Sequence, residues 1–318
     1  MSHVVALLPE GRLTLVVDDG VVPLIEPWIP LGVLRTNETT RPLGDILVRS
    51  HTQTAVSSRL ALHEDATLPP LLRLGTARAV RQADGTIALF GQSATRGQLN
   101  LDNRRAVIEI AHEDDTDAHV AAGDAYSMLT ITAALVLGLK GMALAHAGAV
   151  ADRSGHAWIV VGDSHAGKTS TCTALVEAGW SFLADDQIIL ANEQDGLRVW
   201  GWPRRAHLDG GWTRGEVTGV REVVDLVERW PARVVASALL GGVLLPEVIA
   251  DQRTEARAVH PADVLTALIR QSPWLISDPL VASRVLPVLE STASARAYHL
   301  VLGRDSYARG DVLESRIL

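Results

Sequence analysis

The chain has 318 residues, 47% hydrophobic and 21% charged, which is the make-up of an ordinary globular protein with room for one large or two modest domains. A formal charge of −8 offers no general basic field, so nucleic acid is not an expected partner. The single cysteine, Cys172, cannot form an internal disulfide, and a cytoplasmic setting is expected.

Residues 3 to 110 carry short apolar or alternating runs, Val4-Val5-Ala6-Leu7-Leu8, Leu13-Thr14-Leu15-Val16-Val17 and Thr86-Ile87-Ala88-Leu89-Phe90. Turn signals such as Asp18-Asp19-Gly20 and Ala83-Asp84-Gly85 separate them, so this part reads as mainly β. The start of the chain lacks the basic residues and apolar core of a secretory leader. The acidic stretch His112 to Asp117 is either the best boundary, dividing a β-rich region 1–122 from a second region 123–318, or a surface loop within one continuous fold. A helix is expected from near Asp124, and its apolar part, Met128 to Leu139, is too short to span a bilayer and reads as buried. No membrane partner is expected.

Met142 to Val150 and His156 to Val161, separated by Asp152-Arg153-Ser154-Gly155, predict a hairpin. Its second strand runs into Gly162-Asp163-Ser164-His165-Ala166-Gly167-Lys168-Thr169, which fits G-x-x-x-x-G-K-[ST] at every fixed position and leads into a helix ending near Gly179. The glycines let successive N–H groups and a helix N-terminus converge on one anion. Lys168 adds a compact positive charge for the outer phosphates of ATP, and Thr169 a hydroxyl for Mg2+. Of 29 basic residues only Lys140 and Lys168 are lysines, so an ammonium stands here in a chain that otherwise uses arginine.

Ala184-Asp185-Asp186 follows closely. If the strand persists through both acids they point opposite ways, so one suits the magnesium and the other a proton taken from an incoming hydroxyl. Glu193-Gln194-Asp195-Gly196 then predicts another hairpin turn, and Ser237 to Leu245 a strand. Trp200, Trp202 and Trp212 suit stacking or core packing, and Arg204-Arg205 suit a phosphate clamp or the surface. Pro261 after His260, and Asp278 before Pro279, mark two helix starts. Tyr298 to Leu302 predicts a last strand and Asp311 to Ile317 a helix.

The GDS-x-x-GK-[ST] loop, the helix closed by Gly179, the early Ala184-Asp185-Asp186 and His146 in LAHAGAV together resemble the catalytic domain of bacterial HPr kinase/phosphorylase and its serine-kinase relatives. The resemblance is specific over Ala143 to Leu190. It implies an α+β, mixed α/β fold, a phosphoenolpyruvate-carboxykinase-like P-loop kinase core behind a β-rich N-terminal portion. It also implies an ATP- and Mg2+-dependent kinase whose acceptor is a serine-type hydroxyl of a small protein or peptide. In that reading residues Gly162, Asp163, Ser164, His165, Ala166, Gly167, Lys168, Thr169 and Ser170 hold the nucleotide. Thr169 and Asp186 hold the metal, and Asp185, Lys168 and His146 are catalytic, although His146 also reads as a hydrogen-bonded histidine between strands. His165 stands where the family has glycine, either touching the γ-phosphate or supplying left-handed backbone. Ser170 stands where the bifunctional enzymes have glutamate, and Asp209 to Arg221 lacks their E-[IV]-R-G-x-G segment, so phosphorylase activity is not expected. A nucleotide-binding regulator and a small-molecule kinase are the alternatives, and a homo-oligomer is left open.

Overall fold

The computed structural model describes residues 2–6, 13–26, 28–29, 35–36, 45–51, 69–111, 118–210, 219–249 and 251–318. The acidic stretch 112–117, Leu7-Leu8, Trp212 and Glu216 lie outside the described residues. Two compact units emerge, Met1–Lys140 with Ile276–Ala282, and Gly141–Leu275 with Ser283–Leu318. The class is mixed α/β, with mixed sheets and few helices.

In the first unit the elements are β1 (Ser2–Ala6), β2 (Thr14–Asp18), α1 (Val22–Ile25), β3 (Arg35–Thr36), β4 (Ile46–His51), β5 (Leu72–Leu74), β6 (Ala77–Arg81), β7 (Ile87–Phe90), β8 (Arg96–Asn100), β9 (Arg105–Ala111) and α2 (Ala118–Leu139). The strands form one sheet in the order β3-β1-β2-β4-β9-β8-β7-β6-β5, with β2, β4 and β9 parallel and the other pairs antiparallel. Strands β2 and β8 alternate buried and half-buried residues, as strands with one core face do.

Helix α2 packs on β9, β6 and β5. The unit division therefore falls at Lys140–Gly141, and α2, which the sequence places in the second region, belongs with the first. The helix also starts at Ala118 rather than near Asp124. Asp124 does not cap its own helix: its fully buried carboxylate accepts from Gln92 N at 3.0 Å, Ser93 N at 2.7 Å and Ser93 Oγ at 2.5 Å. The apolar stretch from Met128 is the second half of a 22-residue helix, long and apolar enough to cross a bilayer, yet 78% of its most apolar window is buried within the fold.

The second unit continues with β10 (Met142–Ala145), β11 (Gly148–Ala151), β12 (His156–Val160), α3 (Lys168–Glu177), β13 (Ser181–Ala184), β14 (Ile188–Glu193) and β15 (Gly196–Gly201). Then come a ribbon of β16 (Ala206–Asp209) and β17 (Arg221–Val224), the short α4 (Leu226–Arg229), β18 (Ser237–Val248), β19 (Glu255–Ala258), α5 (Pro261–Gln271), α6 (Pro279–Ala293, which crosses the unit division), β20 (Arg296–Leu302) and α7 (Gly310–Ile317). Strand order is β10-β14-β15-β18-β12-β11-β13, with β20 parallel to β18 and β19 antiparallel to β20. Since β11 continues from β10 and β14 from β13, the path closes on itself.

Residues 157–161 are wholly buried, the pattern of a strand covered on both faces, and β12 lies between antiparallel β11 and parallel β18. Two glycines in β18 make room for side chains of β12. A Cβ at Gly242 would collide with the Trp158 ring, and one at Gly241 would sit 2.8 Å from His156 Cβ. The expected helix starts are present. His260 Nδ1 accepts from Ala262 N with Pro261 opening α5, and Asp278 Oδ1 accepts from Leu280 N and Val281 N at the start of α6.

Candidate phosphate-binding site

Strand β12 delivers the chain directly into residues 162–167, and α3 starts at Lys168. Gly167 has φ +100°, a backbone that favours glycine, and a Cβ there would also have to displace the end of the Leu302 side chain, 2.6 Å away. His165 has φ +67°, a left-handed conformation that histidine tolerates better than most residues. Of its two readings, the replacement of a glycine matches this backbone. Helix α3 ends in a Schellman motif: Gly179, φ +110°, donates to Val176 O and Trp180 N to Leu175 O.

Lys168 is buried, and its Nζ donates to Gly162 O at 2.8 Å and Asp163 O at 3.1 Å, curling over the loop that precedes it. Desolvation lowers its pKa, against the raising effects of nearby Cys172, Asp163 and Asp185. The ammonium thus lies among acidic groups in a partly dry setting, where its charge acts strongly. Thr169 and Ser170 follow in the first turn of α3, both half-buried.

The run Met142 to Val150, expected as one strand, is split at His146-Ala147. The facing run is split at the same level. Ala145 pairs with Ile188 and Ala149 with Ala184, so His146-Ala147-Gly148 lies opposite Asp185-Asp186-Gln187. This gap in one antiparallel pair brings His146 and both acids together. The strand does not persist through the acids, since β13 stops at Ala184. Their surroundings still differ: Asp185 is 5% exposed, whereas the Asp186 side chain is 32% exposed.

Asp186 forms an ion pair with Arg204 Nη2, and its Oδ1 lies 3.7 Å from His146 Nδ1. Of the two arginines read as a clamp, Arg204 is buried in the site and Arg205 is exposed. Desolvation, then the charges of Lys168 and Arg204, push the His146 pKa down to about 4, so at neutral pH the imidazole is uncharged and meets Asp186 as a polar neighbour only. Burial pushes the Asp185 carboxyl up to about 6 against the attraction of Arg204 and Lys168. Its Oδ1 is buried without a hydrogen-bond partner, as is Gln187 Oε1 two residues on. Such orphaned acceptors cost stability and mark places where a ligand can complete the bonding.

These two shifts oppose each other in the pH dependence of folding. His146 has a depressed pKa, so its contribution is lost as pH falls from 6.5 toward 4. Asp185 has a raised pKa, so acidification from about 6 toward 3.8 restores stability. His146→Gln should therefore shift the pH 4–6 slope of stability toward stabilisation by acid, and Asp185→Asn should shift it the other way. Urea melts at pH 4, 5, 6 and 7 check this, and slopes unchanged in both variants would contradict it.

Several contributors were not legible as site residues. Ser272 is fully buried and its Oγ accepts from His146 N at 2.7 Å; Trp274 Nε1 donates to Leu144 O at 2.6 Å. Arg270 and Gln271 reach Asp163. No local motif announces them, because they approach from a helix distant in sequence. Trp202 is wholly buried and Trp200 Nε1 donates to Glu193, so core and surface packing account for both.

No family model matches the chain, and no curated protein matches it. Among solved structures, an Hpr(Ser) kinase/phosphatase from Coxiella burnetii aligns over 54% of this chain and 94% of its own, at 11% identity and a TM-score of 0.32. A likeness this slight assigns neither fold nor chemistry here.

Proposed function

We propose that the protein is an ATP-dependent phosphotransferase with a phosphoenolpyruvate-carboxykinase-like P-loop core, moving the γ-phosphate to a serine-type hydroxyl of a peptide or small protein in the cytoplasm. The observation that carries this reading is the adjacency of the Gly162–Thr169 loop, with its buried lysine, to a buried carboxyl pushed up to about 6. A phosphate cradle alone would suit a binding protein. A carboxyl poised just below neutrality beside it suits proton removal from an attacking hydroxyl.

The loop N–H groups and Lys168 would hold the phosphates. Among the described residues no group of three or more His, Cys, Asp or Glu side chains is placed to hold a metal ion by itself. Thr169 and Asp186 would then give magnesium only two protein ligands, and phosphate oxygens and water the rest, as that ion prefers. Magnesium bound there would neutralise charge on the transferring group. Arg204 would hold Asp186 in place, while Asp185 accepts the hydroxyl proton as the oxygen attacks phosphorus and ADP leaves. His146, neutral, would donate or accept a hydrogen bond beside Asp186. Alignment and charge stabilisation supply most of the rate.

The test is incubation with Mg·ATP and a library of serine-containing peptides, read by mass spectrometry. A phosphate added to one peptide class is expected, and its phosphate-driven removal with release of pyrophosphate is not. Magnesium-dependent nucleotide binding with no transfer to any peptide, protein or small hydroxyl compound would favour a regulatory nucleotide-binding role instead.

A further inference from the structure

The carboxyl end of α5 meets the phosphate loop at a residue outside the fixed positions of its motif. Arg270 Nη2 lies 3.2 Å and 3.4 Å from the two carboxylate oxygens of Asp163, and Gln271 Nε2 donates to Asp163 Oδ1 at 2.5 Å. Asp163 is also the residue whose main-chain oxygen accepts from Lys168 Nζ. One loop residue therefore holds an ammonium at its carbonyl and a guanidinium at its carboxylate.

The backbone beneath this contact is fixed. Ser272 bonds to His146 N and the buried Trp274 to Leu144 O, so the end of α5 is tied to the same strand break that forms the site. The contact itself is loose, with the Arg270 and Asp163 side chains 66% and 65% exposed. An exposed pair of this kind contributes little to stability and is easily exchanged for a better partner. Arg204, by contrast, is 8% exposed and committed to Asp186. A phosphoryl group offers the planar guanidinium fork two charged oxygens at once, a stronger match than an exposed carboxylate.

We propose that Arg270 is a specificity-determining residue, which exchanges Asp163 for the terminal phosphate of a nucleoside triphosphate and so makes the site prefer triphosphate to diphosphate. The inference rests on the nucleotide-binding reading above. Asp163 is the second residue of the loop, five residues before α3 begins, so an outermost phosphate extending beyond the inner ones held by the loop N–H groups and the helix N-terminus would come toward it. A diphosphate keeps those inner contacts and leaves Arg270 with Asp163. A triphosphate gains the guanidinium and must also outcompete the carboxylate.

Calorimetric titration of the full chain with Mg·ATP and Mg·ADP tests this in wild type, Arg270→Ala, Arg270→Lys and Asp163→Asn, with melting curves to confirm folding. Arg270→Ala is expected to weaken ATP about tenfold, the scale of one charge-assisted bond, and ADP less than about twofold. Arg270→Lys should recover part of the loss. Asp163→Asn, which needs no change in α5, should tighten ATP by removing the competing carboxylate. Equal losses for ATP and ADP in Arg270→Ala, or no loss in either, would overturn the role given to Arg270 while leaving the nucleotide site intact. Wild type binding neither nucleotide would overturn both.

Discussion

Lys168→Ala is expected to lower phosphoryl transfer by about 10³-fold or more, since one positive charge aimed at the transferring group contributes on that scale in a partly dry site. The fold should survive almost unchanged. The wild-type ammonium is buried and its pKa is depressed by desolvation, so placing it there costs free energy that two bonds, to Gly162 O and Asp163 O, offset only in part. Alanine removes both the cost and the bonds. Rate and ATP affinity should therefore collapse while the urea midpoint moves by no more than about 1 kcal/mol equivalent. A folded variant with wild-type transfer would remove Lys168 from the mechanism.

Asp185→Asn is expected to cut the rate by about 10²- to 10⁴-fold, the usual contribution of a general base, while ATP affinity stays within about threefold. Its stability should move the other way from its activity. The carboxyl titrates near 6 in the folded chain against an ordinary 3.8, so ionised Asp185 subtracts stability above about pH 6, and the penalty disappears below 3.8. That shift bounds the penalty at about 3 kcal/mol at pH 7. The amide cannot ionise and should melt at or above the wild-type temperature at neutral pH, because it carries no buried charge to destabilise the fold. Asp186→Asn should instead weaken magnesium-dependent nucleotide binding and disturb Arg204, its ion-pair partner. Identical magnesium dependence and residual rates in the two variants would contradict this division of roles.

The strand, loop and helix of the site were legible because each is specified locally. Five apolar residues, Ala157 to Val161, precede the loop, Gly167 takes a left-handed backbone that favours glycine, and Gly179 closes the helix with a left-handed turn. The caps at His260-Pro261 and Asp278 were readable for the same reason. Less was legible where tertiary pairing decides. Nothing in Met142 to Val150 signals that the chain leaves its ladder at His146; that break exists because Asp185 to Gln187 stand opposite and Ser272 takes the freed N–H. Asp124 reads as a helix start, yet its carboxylate serves a turn 31 residues away in sequence. The choice between Arg204 and Arg205 depends on which side chain the tertiary packing buries, and adjacent identical residues give no hint of it.

Hydrogen exchange of the full chain, with and without Mg·ATP, is the decisive measurement for the phosphate loop, because it reports where nucleotide binds as well as whether it does. Slowed exchange is expected in peptides covering Ser164 to Thr169, whose N–H groups would contact phosphate, with no such protection in Lys168→Ala. Nucleotide binding that leaves these amides unprotected, or protects a different part of the chain instead, would contradict the phosphate-loop reading.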